Sequence, residues 1–157
     1  MRESYVWAPQ TFEVLRAVGW TSDRAVDTAR WEAEIGAGGF TIGDPTFEPT
    51  RRFLAEFGDL EVDDHGPGIP KGCIWFTIAP LAIWRRAASA VRTAERLGVN
   101  QVYPIGHVQG HAILVMSDEG EVYVDWGPGH ANLGSEREAI ARLIQGDPVS
   151  VFNPRPS

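Results

Sequence analysis

Histidine and cysteine are scarce reactive side chains in this sequence, four and one among 157 residues. His107 and His111 stand four apart, a spacing that puts two metal ligands side by side only on a helix. Gly110 and the strand-like residues around the pair place them instead on either side of a hairpin turn, facing each other across it. A metal site would need a third ligand from His65, His130 or the acidic loop at 63–65, which would make the chain a small metal-dependent hydrolase. Cys73 precedes Ile74, Trp75 and Phe76, an apolar setting without the base or helix N-terminus that makes a thiolate. No G-x-S-x-G elbow occurs. Gly36-Ala37-Gly38-Gly39 and Gly66-Pro67-Gly68 are not followed by Gly-Lys-Ser/Thr, so they read as chain breakers rather than phosphate loops. The carboxylates of Asp59, Glu61, Asp63, Asp64, Asp118 and Glu119 fall on a strand's wet face or in turns, where acids are ordinarily solvated. No catalytic set, metal or cofactor is therefore expected, and binding is the favoured activity.

Charge narrows the partner. Twenty-one acidic and 14 basic side chains give a net charge of −7, which opposes a phosphate backbone and steers encounter with a basic protein. A single cysteine allows no internal disulfide, as suits a reducing compartment. The first seven residues, Met1 to Trp7, carry no apolar signal-peptide core, and no apolar run approaches the ~20 residues that span a bilayer. A cytoplasmic protein without membrane association is expected, as one domain over 1–157 with a mobile tail after about 148.

The elements that would position these residues follow from periodicity. A first helix runs from Pro9 to Val18, with Phe12, Leu15 and Val18 on one stripe and Gly19 ending it. A second begins after Asp27, whose carboxylate can cap it, and turns Trp31 and Ile35 inward. A third spans Pro49–Phe57 with Phe53, Leu54 and Phe57 apolar, and Gly58 suits a left-handed stop. Leu60 and Val62 then alternate with acids as a strand, and Cys73–Ile78 reads as another. Pro80 opens a helix to about Leu97. Val102–His107, His111–Met116 and Glu121–Trp126 are three strands with turns short enough to force antiparallel pairing. Ser135 and Glu138 form a capping box, and Ala139, Ile140, Leu143 and Ile144 make the buried stripe of the last helix. The sum is an α+β domain whose antiparallel sheet ends in a C-terminal three-stranded meander, flanked by about five helices.

That order of segments resembles the SUKH superfamily of bacterial immunity proteins, in particular its third subgroup. The resemblance runs through Val14-Leu15-Arg16-Ala17-Val18-Gly19-Trp20, Arg24-Ala25-Val26-Asp27 and Trp31. It continues through Phe53-Leu54-Ala55-Glu56-Phe57-Gly58-Asp59-Leu60, Gly66-Pro67-Gly68, Tyr103-Pro104-Ile105-Gly106 and Asp118-Glu119-Gly120-Glu121-Val122-Tyr123. Ala79-Pro80 stands where the family pattern has Asp-Pro, and His107 where an acid is usual. The resemblance implies an α+β fold and a role in binding and neutralising a cognate polymorphic toxin, often a nuclease or deaminase. A basic toxin suits the charge. The candidate partner-binding residues are Asp59, Glu61, Asp63, Asp64, Asp118, Glu119, Asp125 and Trp126, with Trp126 as an aromatic anchor at a loop edge. A regulatory adaptor of the same fold is the alternative from the binding class.

Overall fold

The computed structural model describes residues 7–37, 48–62, 75–79, 90–108, 112–125 and 129–145. In chain order the elements are α1 (Pro9–Ala17), α2 (Ala29–Ala37), α3 (Glu48–Phe57), β1 (Glu61–Val62) and β2 (Phe76–Thr77). They continue with α4 (Ala90–Leu97), β3 (Val102–Val108), β4 (Ala112–Ser117), β5 (Glu121–Asp125), β6 (His130–Ser135) and α5 (Glu136–Gln145). The six strands form one antiparallel sheet in sequence order. The α+β class is as expected, but the meander has four strands, since β6 follows the three anticipated.

Local chemistry sets the helix ends. Pro9 opens α1, where its missing amide costs nothing, and Gly19 leaves it at φ +108°, which glycine adopts without strain. Thr11, Val14 and Leu15 form the buried stripe of α1, with Phe12 and Val18 partly buried at its margin rather than at its centre. Asp27 accepts the Ala29 amide at 3.0 Å, the cap anticipated for α2. At the end of α3 the left-handed residue is Asp59 (φ 66°), not Gly58. Gly58 is required for space: a Cβ there would collide with the Trp31 ring and lie 2.5 Å from the Leu54 carbonyl oxygen.

The main core lies between one face of the sheet and α1, α2, α3 and α5. Trp31, Phe53, Phe57, Phe76, Tyr103, Ile105, Leu114, Val124, Leu133 and Ile144 are among its buried members. Trp7 ties the segment before α1 to α5. Its ring packs edge-on against Phe12, Trp20 and Phe57, its Nε1 donates to the Arg137 carbonyl at 2.8 Å, and the Arg137 guanidinium lies 4.3 Å above it. On the opposite face α4 packs Ala94 against Val102 and Val115, with Leu97, Val99, Ile113 and Tyr123 around the margin. The helix to which Pro80 was assigned is described from Ala90 onward. Cys73 and the tail after 145 lie outside the described residues.

Candidate interaction surface

The strand registers place chemistry-bearing residues in one line across the α4 face. Glu61 pairs with Thr77, Thr77 with His107, His107 with Ile113, Ile113 with Asp125, and Asp125 with His130. Directly opposed residues share a face of the sheet, so Glu61, His107, Asp125 and His130 come from four different strands onto one side. Gly106 allows this line to form. A Cβ on it would run into the Thr77 carbonyl oxygen and come 3.1 Å from Ile78 Cα, so only glycine lets β3 approach β2 this closely.

The same register corrects the histidine pair. The residue opposite His107 across the β3–β4 hairpin is Ile113, not His111, and His111 lies outside the described residues. Among the described residues no group of three or more His, Cys, Asp or Glu side chains is arranged to hold a metal ion.

The candidate acids divide. Glu61 and Glu119 are exposed. Asp59 is exposed too, and its carboxylate meets Arg30 at 2.9 Å, a pairing in water of little energetic consequence. Asp118 is half-buried in the β4–β5 turn, where its amide donates to the Gln101 carbonyl at 3.1 Å. Asp125 does not belong to an exposed surface. It is 5% exposed, and Arg96 of α4 grips both carboxylate oxygens, with Nη1 3.1 Å from Oδ1 and Nη2 closer still to Oδ2. Its work is to hold α4 on the sheet, since a buried carboxylate needs a matched partner. Asp63, Asp64 and Trp126 lie outside the described residues.

Residues beyond the original set share this face. Tyr123 lies two residues before Asp125 on β5, opposite Asn132 of β6, and Glu121 is opposite Ser135. Asn132 Nδ2 donates to Glu121 Oε1 at 2.7 Å and lies 3.5 Å from the Tyr123 hydroxyl. Burial raises the Tyr123 hydroxyl above its ordinary pKa, and the charges of Glu121 and Glu119 raise it further. The alternation Glu121-Val122-Tyr123-Val124-Asp125 already encodes one face for Glu121, Tyr123 and Asp125. Nothing in the sequence marks Asn132, because β6 does not read as a strand.

These residues define the chain as an α+β domain with an acid-bearing sheet face and no assembled metal cluster among the described residues. The family model of the SUKH-3 immunity proteins matches residues 7–146, and the chain belongs to that family. The match spans every helix and strand given above. No curated protein and no solved structure matches it. Among the described residues no helix is long and apolar enough to cross a membrane.

Proposed function

We propose that the chain is an immunity protein that acts by binding, not catalysis: it neutralises a cognate, basic toxin that works on nucleic acid. Membership of the SUKH-3 immunity proteins over residues 7–146 carries the reading. The nature of the toxin rests on charge. A protein that grips phosphates presents lysine and arginine, and a net charge of −7 draws such a surface in and can occupy it.

The carboxylates differ in whether a cation already holds them. On the helical side, Glu32 and Glu48 meet Arg51, Glu56 meets Arg137 and Glu138 meets Arg142. Glu61 and Glu121, on the sheet face, have no arginine or lysine partner among the described residues. Expression of the polypeptide encoded beside this chain, with and without it, tests the reading. The neighbour alone should arrest growth, and co-expression should restore growth and yield a co-purifying pair. A harmless neighbour, or a toxic one that is neither rescued nor bound, would contradict the proposal.

A further inference from the structure

We draw no further inference here: the strongest candidate, the outer edge of β6 (His130–Ser135), which no other strand flanks among the described residues, carries no proposal because nothing in the structure shows what covers it.

Discussion

Replacing Arg96 by methionine keeps the apolar stem of the side chain but removes the charge that both oxygens of Asp125 face. The Asp125 side chain is 4% exposed, whereas that of Arg96 is 40% exposed, so the two partners are not equivalent. Arg96→Met leaves a carboxylate buried without its partner, a loss of about 3 kcal/mol. Asp125→Ala leaves a guanidinium that can turn back into water, a loss of about 1 kcal/mol. The double variant buries no charge, so it should be more stable than Arg96→Met by roughly 1–2 kcal/mol although it carries one more substitution. For a chain of this length the first substitution corresponds to a fall in Tm of about 6–12 °C. Urea unfolding followed by tryptophan fluorescence, on all four members of the cycle, measures each term. If the two losses simply add, or if Arg96→Met unfolds with the wild-type midpoint, then Asp125 does not hold α4 in place.

Further expectations follow from single side chains. Burial, followed by the nearby charge of Glu32, raises the hydroxyl pKa of Tyr103 far above the ordinary tyrosine value. The folded protein therefore keeps a proton that the unfolded chain releases above pH ~10. Stability from this group is complete below that pH and falls above it by about 1.4 kcal/mol per pH unit; Tyr103→Phe should remove one such increment from the alkaline slope, and an unchanged slope in unfolding titrations would count against it. Gly106→Ala sets a methyl group against the Thr77 carbonyl of β2 and 3.1 Å from the Cα of Ile78, the residue after it. A loss of about 3 kcal/mol with early hydrogen exchange at Thr77 and Ile78 is expected, and wild-type protection there would refute it. Trp7→Phe keeps a ring in the aromatic cluster but leaves the Arg137 carbonyl without its 2.8 Å donor. It should cost about 1–2 kcal/mol by urea midpoint, and a neutral result would mean the bond from Trp7 to α5 contributes nothing.

Much of the fold was legible because it is written in periodicity and stop signals. Phe53, Leu54 and Phe57 are buried in α3 and Ala139, Ile140, Leu143 and Ile144 in α5, and Leu60 and Val62 are buried around an exposed Glu61. β6 was missed because an edge strand needs only one apolar side: of His130-Ala131-Asn132-Leu133-Gly134-Ser135 only Leu133 is fully buried, and Gly134 sits at φ +96°. Pro104 and Gly106 inside β3 also run against strand preference. Among the described residues β2 pairs with His107 and Val108, so Pro104 lies outside that ladder.

The acids were harder to read than the core. Charge type is visible in sequence, but its partners are not. Asp125 looked like the exposed acids until the chain was folded, because the residue that claims it, Arg96, lies 29 positions away on a different element. Tyr123 could have been placed beside Glu121 by alternation alone. Its link to Asn132 depends on the β5–β6 pairing, which no local pattern announces.

The most direct measurement of the central claim is inhibition of the toxin by the purified immunity protein. The polypeptide encoded beside this chain is assayed on DNA and RNA substrates while the chain is titrated in. Loss of nucleic-acid turnover at about one equivalent, with a complex that elutes as a single species, is the result predicted. Undiminished turnover in the presence of excess chain, from a neighbour that is active on nucleic acid, would contradict it.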